Sequence, residues 1–356
     1  MKMKTQILNS KGEPIVLTPQ EVVRAQALQK KFRDEQVFNS LGFELNITTL
    51  TAISKSVVEQ KFFTVAPADY LPVRVGQNAW SSNIVTYRDY AVGGDFESGV
   101  LNTGASDSRL AEADAAVDSV TNKVNNWAKS INWSLFDLKL AAQSGNWDVV
   151  TSKERARKKN WDLGIQQIAF LGSKVDSSVL GLLTQTNVNS NTSLITSSTG
   201  PISGMSAANF AAFVEGIIQA YRANCNYTAF PTHFIIPESD YNGLANLIPG
   251  SAGTFPVPMM NYLLDAFKLI TRNPNFKILP CAYANESINN SIVGLNKNRY
   301  TLLNYDEDSI RMDIPVDYSN TLQNTLNGFQ YQNVGYGQYT GVVAFRPLEV
   351  LYFDYT

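Results

Sequence analysis

The sequence predicts an α+β fold, and three observations carry this prediction. Apolar residues recur at helical spacing between Thr151 and Gly172 and predict the longest helix of the chain. After residue 200, apolar helix faces alternate with short apolar runs that are typical of buried strands. From Val342 to Tyr355 almost every residue favours a strand, so the chain is expected to return to a sheet.

The composition bounds the class of protein. The 356 residues suffice for one large or two ordinary domains with a sizeable core. Only 17% of them are charged, against about 25% in an ordinary soluble domain. Such a surface suits a protein that buries much of itself against its own copies, and it equally suits a secreted β-rich protein. The net charge of −2 predicts no general attraction to nucleic acid or to a membrane.

Cys225 and Cys281 are the only cysteines, and both are predicted to be reduced and buried. The opening residues carry lysines but lack the apolar core of a signal peptide. No run of about 18 apolar residues occurs, so no membrane span is expected. The default compartment is therefore the cytoplasm.

Residues 1 to 61 are predicted to form an arm rather than a domain. Thr18 is a good N-cap, and Pro19 suits the first turn of the helix that follows. This helix has no wide apolar stripe, so it is expected to lie on a neighbour or across the body. The segment has a basic excess, which permits contact with nucleic acid, although a solvated helix face is the simpler interpretation.

Residues 62 to 106 are predicted to form an extended hairpin. Val73 to Val75 and Ile84 to Tyr87 are strand-like, and Gly76 to Asn78 mark a turn between them. The segment has too few apolar residues for its own core, and an isolated two-stranded hairpin is marginally stable. It is therefore expected to lean on another surface, for which a partner subunit is a good candidate.

A strand and two helices are predicted before the middle of the chain. An extended segment enters a strand around Val120 to Ile131, and Ser134 then caps a short helix. Thr151 and Glu154 form a capping box at the start of the long helix. Gly172 is a natural stop for this helix.

A loop rich in Ser, Thr and Asn follows Leu183 and marks the clearest domain boundary. Pro347 is expected at a sheet edge or a bulge, because it cannot donate a ladder hydrogen bond. The other elements predicted after the loop are helices at 210–221 and 260–270 and strands at 233–236, 276–281, 300–303 and 309–314.

The sequence predicts no catalytic, cofactor or metal site, and therefore no enzyme. His233 is the single histidine, so a histidine-based triad and an HExxH zinc site are both disfavoured, and a structural strand-end role is preferred. Gly335 to Gly337 match no phosphate-binding loop and are expected in a turn or a flexible loop. Asp306 to Asp308 are expected to form a solvated turn rather than a cation site.

A basic run, Lys153 to Lys159, occupies the first half of the long helix. Arg155, Lys158 and Lys159 share one face of this helix. These cations suit contact with phosphates. A solvent-exposed helix end without a partner is at least as good an interpretation. They equally suit the acidic residues of a neighbour's hairpin, which are Asp69, Asp89, Asp95 and Glu97.

The order of these parts resembles the major capsid proteins of tailed double-stranded DNA phages, with the motif-level match in residues 73 to 188. Trp133 to Ala142, WSLFDLKLAA, is similar to the family's segment that enters its long helix, with Asp137 at the acidic position. Lys153 to Gly172 is similar to the family's spine helix. Gly181 to Val188 resembles the family's Gly-Leu-Leu-Asn-x-Pro-x-Val.

This motif departs from the family pattern at two positions, because Thr184 replaces the Asn and Thr186 replaces the Pro. The closing GVVAFRPLEVLYFD resembles the family's last strand, in which a Pro is followed by an apolar run. The likeness covers most of the chain, and the order of the parts carries more weight than any single motif.

The resemblance implies a shell subunit with four parts. Residues 1 to 61 would be the N-terminal arm and 62 to 106 the extended loop. Residues 107 to 199 with 306 to 356 would form the peripheral domain, which holds the spine helix, and 200 to 305 the axial domain. The subunit would build hexamers and pentamers of an icosahedral shell around phage DNA, which it would contact non-specifically. Portal, scaffold or decoration proteins would be further partners, and the protein would lie in the virion after assembly in the host cytoplasm.

Inter-subunit contacts are expected from the hairpin and from the basic end of the spine helix. Replacement of Trp80 by Ala should then impair assembly more than folding. Two alternatives stay open: an encapsulin-like compartment shell that holds an enzyme cargo, and a glycan-binding or glycan-cleaving β-rich protein. The candidate contact residues are Trp80, Tyr87, Arg88, Tyr90, Arg155, Lys158 and Lys159.

Overall fold

The computed structural model describes residues 65–92, 114–143, 149–196, 199–247, 257–325 and 327–355, and two short strands near the N-terminus. The chain divides into two units, Met1–Gln60 and Lys61–Thr356. In the first unit, strands β1 (Ile7–Leu8) and β2 (Pro14–Ile15) pair antiparallel. The helix predicted after Thr18 lies outside the described residues.

The second unit mixes helices and strands along the chain. Its described helices are α1 (Leu135–Gln143), α2 (Val149–Leu171), α3 (Ala207–Asn224), α4 (Glu238–Tyr241), α5 (Met259–Thr271) and α6 (Glu286–Val293). Its described strands are β3 (Val73–Val75), β4 (Asn83–Val92), β5 (Asp114–Ser134), β6 (Asn189–Asn191), β7 (His233–Pro237), β8 (Lys277–Cys281), β9 (Asn298–Leu303), β10 (Ile310–Ile314), β11 (Val316–Asn320), β12 (Asn324–Thr325), β13 (Gln330–Thr340), β14 (Val342–Ala344) and β15 (Val350–Tyr355).

A five-stranded sheet, ordered β6–β15–β9–β7–β8, separates two hydrophobic cores. Successive residues of a strand point to opposite faces. Leu303 and Tyr352 therefore lie in the core that contains the apolar half of α2. Leu302 and Phe353 lie in the core that contains α3 and α5. Because both faces are covered there, the central strands β7, β9 and β15 are rich in apolar residues, and the strands predicted from apolar runs are confirmed.

A second sheet is built on β5, which is 21 residues long. Its first half, Asp114 to Lys123, pairs antiparallel with β4, and its second half, Val124 to Ser134, pairs antiparallel with β13. Strands β11 and β12 pair with β13. A smaller third sheet has the order β14–β10–β3. The predicted strand around Val120 to Ile131 is confirmed and extends further at both ends.

The hairpin predicted between Val73–Val75 and Ile84–Tyr87 is wrong in its pairing. Strand β3 pairs parallel with β10, whereas β4 pairs with β5. The reason is length: β3 offers only 3 residues, and β4 offers 10 to a long partner strand. The true hairpin joins β4 to β5, and its connecting residues 93–113 lie outside the described residues.

Helix α1 begins as predicted, with Ser134 as its cap. The Ser134 hydroxyl accepts a hydrogen bond from the Asp137 N–H at 3.1 Å, and an Asp137 carboxylate oxygen accepts one from the Ser134 N–H at 3.0 Å. This reciprocal pair is a capping box with Asp in place of Glu. The hydrogen bond from the Ser134 N–H lowers the pKa of Asp137 below its usual value.

Helix α2 begins at Val149, two residues before the predicted cap. Thr151 therefore lies inside the first turn, and the capping box predicted for Thr151 and Glu154 is wrong. Val149 is buried, so packing at this end overrides the capping signal. Glu154 instead accepts a hydrogen bond from the Asn320 side chain of β11.

The end of α2 is confirmed at Gly172, which has a φ of +80°. A Cβ on Gly181 would lie 2.5 Å from the backbone of Gly172, so the two glycines permit close approach of their chain segments. The Thr184 hydroxyl donates to the carbonyl of Leu171 at 3.1 Å and accepts from the Gly181 N–H at 2.9 Å. The Gly181 motif thus satisfies a carbonyl at the end of the helix.

Gly335 and Gly337 lie in the middle of strand β13, so the predicted turn or flexible loop is wrong. A Cβ on Gly337 would lie 2.5 Å from the Trp161 ring, and one on Gly335 would lie 2.6 Å from Nε of Arg157. Arg157 and Trp161 are one helical turn apart. Helix α2 therefore rests directly on the backbone of β13, and glycine is required by this contact.

Other predicted details of the second unit are confirmed. Cys225 and Cys281 are buried free thiols. His233 begins strand β7, is buried, and stacks on Tyr305 with ring centroids 4.8 Å apart. Pro347 is the exception: it was predicted at a sheet edge or a bulge, but it lies between β14 and β15 and starts a short 3-10 turn.

Candidate inter-subunit surface

The hairpin of β4 and β5 presents exposed apolar side chains on one face. On this face Val85 lies across from Thr121, and Tyr87 lies across from Ser119. Tyr87 is 74% exposed, and Val117 on the neighbouring strand is 68% exposed. Neighbouring apolar side chains that stay exposed mark an interaction surface more strongly than scattered ones do.

The opposite face of this hairpin is fastened to the body of the same chain. Arg88 donates to the carbonyl of Phe345 at 3.1 Å and to the carboxylate of Asp118 at 2.6 Å. The hydrogen bond from Arg88 lowers the pKa of Asp118. Asn122 donates to the carbonyl of Gly341 at 3.2 Å. The structure therefore gives Arg88 partners within the chain, and its inter-subunit role stays a prediction.

The long strand β5 is covered on opposite faces in its two halves. In the first half, the odd-numbered positions from Val117 to Lys123 are exposed, whereas Val120 and Asn122 are half-buried and Asn122 is bonded to Gly341. In the second half, odd-numbered Trp127 packs on Trp161 of α2, and odd-numbered Trp133 is buried. The even-numbered residues from Asn126 to Asn132 are exposed there. Each half of the strand therefore leaves a different face of the sheet open.

Trp80 lies over the open face of the sheet along the second half of β5. Its ring centroid is 5.9 Å from that of Tyr336, and its backbone N–H donates to Oε1 of Gln338 at 2.8 Å. The residue is 69% exposed and has a φ of +64°. Trp80 and Tyr87 are thus outside the core, as predicted, and point to opposite faces of the sheet. The backbone of Tyr90 pairs with Ala116, and its side chain lies outside the described part of the structure.

The cations of the basic run on α2 differ in their exposure to solvent. Arg155 and Lys158 are exposed, and Lys159 is half-buried. Arg157, on the other side of the helix, is only 2% exposed. The predicted face of Arg155, Lys158 and Lys159 is therefore turned away from the sheet, whereas Arg157 is turned into it.

Arg157 fastens α2 to three strands. Its guanidinium donates to the carbonyl of Asn333 at 2.9 Å, to the hydroxyl of Tyr318 at 2.8 Å and to Oδ1 of Asn320 at 2.9 Å. It also reaches the carbonyl of Lys129 at 3.3 Å. These acceptors belong to β13, β11 and β5. A planar guanidinium with five N–H donors suits such a set, because each donor finds a partner despite burial.

Sequence reasoning missed the role of Arg157 and an exposed aromatic pair at the start of α1. Arg157 and Trp161 share the buried helix face, so their spacing was the available signal. Phe136 and Phe329 stack with ring centroids 6.3 Å apart and are 71% and 57% exposed. Leu140, one turn after Phe136, is also exposed. The spacing of Phe136 and Leu140 on a correctly predicted helix indicated this patch.

The acidic residues Asp306 to Asp308 form a turn, in which Asp306 and Glu307 make ion pairs with arginines. Glu307 lies 2.7 Å from Nε of Arg74, and Asp306 lies 3.5 Å from Nη1 of Arg346. Within the described ranges, no three His, Cys, Asp or Glu side chains come together as a metal site would require. The helices in the described part of the chain are all too short or too polar to cross a membrane.

Comparisons with known proteins agree with this architecture. The model of the major capsid protein family matches residues 99–356. The capsid of Myoviridae phage XM1 has a TM-score of 0.69 at 16% identity, over 86% of this chain and 97% of that one. The capsid of a native GTA particle has a TM-score of 0.56 at 12% identity, over 89% and 98% of the two chains. The mature capsid of bacteriophage PhiM1 has a TM-score of 0.54 at 10% identity, over 86% and 92%.

At these identities the solved structures show the fold, and the predicted phage-capsid fold is confirmed. No curated protein matches the sequence.

Proposed function

The chain belongs to the major capsid protein family, and from this premise we propose that its copies form hexamers and pentamers of an icosahedral shell around phage DNA. As a member of this family it is a structural protein of a capsid shell and not an enzyme, and it associates with copies of itself. Capsid proteins form the shell of the virion. Neither the compartment-shell alternative nor the glycan alternative gains support from the family match or from the structural neighbours.

The observation that carries this proposal is the pair of open faces on the sheet built on β5. One face exposes Tyr87 and Val117, and the other exposes Trp80. Aromatic residues dominate the free energy of protein interfaces, because they bury a large area with few rotatable bonds. A subunit with exposed aromatic residues on two sides can contact two neighbours at once, which a closed ring of copies requires.

The basic face of α2 supplies an electrostatic element to the proposed assembly. Arg155 and Lys158 are exposed there, and Asp89 is exposed on β4. We expect the cations of one copy to approach the acidic hairpin of the next. The same cations suit non-specific contact with the phosphates of packaged DNA.

A charge-reversal experiment tests this electrostatic element. A triple variant with Glu at Arg155, Lys158 and Lys159 should assemble poorly at low salt and approach normal assembly at high salt, because salt screens exposed charges. Lys174→Glu, an exposed lysine beyond the end of α2, is the control. Equal assembly of the triple variant and the control at low salt would refute the role of these cations.

The four-part organisation is part of the proposal. The division of the chain at Lys61 supports a separate arm from residue 1 to 61, followed by the extended loop at 62 to 106. The peripheral domain would contain 107 to 199 with 306 to 356, and the axial domain 200 to 305. Strand β15 pairs with β9, so these two domains would share the five-stranded sheet. Assembly in the host cytoplasm and contacts with portal, scaffold or decoration proteins complete the proposal.

Assembly of the purified chain tests the function directly. Size-exclusion chromatography with light scattering, followed by negative-stain microscopy, should reveal closed shells made from one polypeptide. Shells from the native source should contain nucleic acid rather than an enzyme cargo. A stable monomer at high concentration, under every salt and scaffold condition, would refute the proposed shell.

A further inference from the structure

We propose that Gln338 is a positioning residue that presets Trp80 as an aromatic anchor for a second copy of this chain. The proposal rests on the shell function given above and names one contact within it. Gln338 lies on strand β13 and is only 4% exposed, whereas Trp80 lies in the loop between β3 and β4. The two residues are 258 positions apart in sequence and meet only in the fold.

The backbone of Trp80 is held in a conformation that tryptophan rarely adopts. Its φ of +64° is in the left-handed region, as are those of Gly76 and Asn78 in the same loop. For a residue with a Cβ this conformation costs free energy, whereas Gly, and to a lesser degree Asn, adopts it easily. Folding alone would therefore favour Gly or Asn at position 80.

The side chain of Trp80 adds little to folding that would offset this cost. The residue is 69% exposed, and its described ring contact is with the half-buried Tyr336. Residues kept in unfavourable backbone regions cluster where a function uses them. A strained and exposed tryptophan is thus better explained by a contact outside the subunit than by one within it.

Gln338 supplies the interaction that holds this conformation. Its Oε1 accepts the Trp80 N–H at 2.8 Å, and its Nε2 donates to Oδ1 of Asn126 at 2.7 Å. Asn126 fixes which way the amide points, so that the oxygen faces the loop. The Ser81 hydroxyl also donates to the carbonyl of Asn78 at 2.6 Å, which tightens the same turn. The anchor is therefore arranged before a partner arrives, and this reduces the entropy lost on binding.

The occupant of the Trp80 surface is a second copy of this chain. The chain associates with its own copies, and the surface around Trp80 is uncharged. Trp80 contacts Gln338 and Tyr336 of β13, and the exposed residues paired with them on β5 are Asn126 and Ala128. An uncharged surface suits the charge-poor chain itself, in which only 17% of residues are charged. It does not suit nucleic acid, whose binding requires cationic side chains.

The test is a double-mutant cycle between Trp80 and Gln338, with assembly and folding measured separately. Gln338→Met removes both hydrogen bonds at nearly constant volume and should raise the concentration needed for assembly about tenfold, which equals about 1.4 kcal/mol. Trp80→Ala should raise it by at least as much. In the Trp80→Ala background, Gln338→Met should have no further effect on assembly, because it acts through Trp80.

Gln332→Met is the matched control, since it makes the same change on the same strand away from Trp80. It should leave the assembly concentration unchanged. Trp80→Asn should relieve the backbone and keep or raise the melting temperature of the unassembled subunit, while it weakens assembly. This opposite response of folding and assembly is not expected of a residue with a merely structural role.

If Gln338→Met does not fold, Asn126→Ala replaces it, because it frees the Gln338 amide to turn without burying a new apolar group. It should shift assembly in the same direction by a smaller factor. The inference is overturned if Trp80→Ala assembles normally. It is also overturned if Gln338→Met, or Asn126→Ala in its place, weakens assembly equally in the presence and in the absence of Trp80. Failure of the unmodified chain to form shells would refute the proposed function instead, so the two failures are distinguishable.

Discussion

The two large sheets of this protein differ in how their faces are covered. The five-stranded sheet has a hydrophobic core on each side, and its three central strands β15, β9 and β7 are almost entirely buried. The sheet built on β5 is covered on one face in one half and on the other face in the other half. The first sheet uses its side chains for folding, whereas the second keeps many of them free for contacts with other copies.

Helix α2 contacts both of these sheets. Its second half places Ile168, Phe170 and Leu171 in the first core, where burial of apolar area stabilises the fold. Its middle packs on β13 through Trp161, which belongs to the same core, and its first half is held on the sheet by the hydrogen bonds of Arg157. A packed apolar contact and a satisfied polar contact therefore stabilise the two ends of one helix, and each can be tested separately.

The largest loss of stability is expected in the five-stranded sheet. Phe353 is fully buried in the core with α3 and α5, so Phe353→Ala should lower the free energy of unfolding by about 3 to 5 kcal/mol. Phe136→Ala makes the same change at an exposed site beside the other sheet and should cost only about 1 kcal/mol, mostly from its stack on Phe329. Urea unfolding of the unassembled subunit measures both values. Similar losses in the two variants would contradict the difference between the sheets.

A smaller loss is expected where α2 rests on β13. Arg157→Met should lower the free energy of unfolding by about 2 to 4 kcal/mol, because it leaves several acceptors of β13 and β11 without their donor. Arg155→Met, two residues away on the exposed side, should change it by about 0.5 kcal/mol or less. Urea unfolding of the unassembled subunit measures both values. An unchanged free energy of unfolding in Arg157→Met would show that packing of Trp161 alone holds this end of the helix.

The contrast between the sheets also explains what could be predicted from the sequence. Strands of the five-stranded sheet, such as His233–Pro237 and Val350–Tyr355, are covered on both faces and are visible as apolar runs. Strand β13 carries Gly335 and Gly337 among polar residues and gave no such signal. Its glycines are explained only by Arg157 and Trp161, more than 150 residues earlier in the chain.

The candidate surface was predictable in part for the same reason. Trp80 and Tyr87 lie in a segment with too few apolar residues for a core, and their exposure follows from this composition. The burial of Arg157 was indicated only by its spacing of four residues from the apolar Trp161, because the basic run itself shows no sign of which cation meets a sheet. The pairing of β4 with β5 rather than β3 depends on residues 114 to 123, which no local pattern in the loop indicates.

A pH-dependent effect from a histidine is expected in the five-stranded sheet. Burial, with a smaller contribution from the Lys277 cation, lowers the pKa of His233 from 6.5 to about 4. The unfolded chain binds a proton near its usual pKa, and the folded chain does so only near pH 4, so stability falls as the pH decreases through this window. Between about pH 7.5 and 4.5 this histidine should remove about 2 to 3 kcal/mol.

Comparison with His233→Gln isolates this contribution, because carboxylates titrate equally in both proteins. The variant should lose less stability than the parent over the same pH range in urea unfolding. Parallel pH profiles for the two proteins would show that His233 is accessible to protons in the folded state. The sheet built on β5 contains no histidine, since His233 is the only one in the chain.

The smallest effect on folding is expected on the open face of the hairpin. Tyr87→Ala should change the free energy of unfolding by about 0.5 kcal/mol or less, because Tyr87 is 74% exposed in the subunit. The same change should raise the concentration needed for shell assembly about tenfold, since an aromatic contact with a neighbour is lost. Ser119→Ala, on the paired position of β5, is the control and should alter neither property. Normal assembly of Tyr87→Ala would assign this face to solvent and leave the Trp80 surface as the contact that the β5 sheet provides.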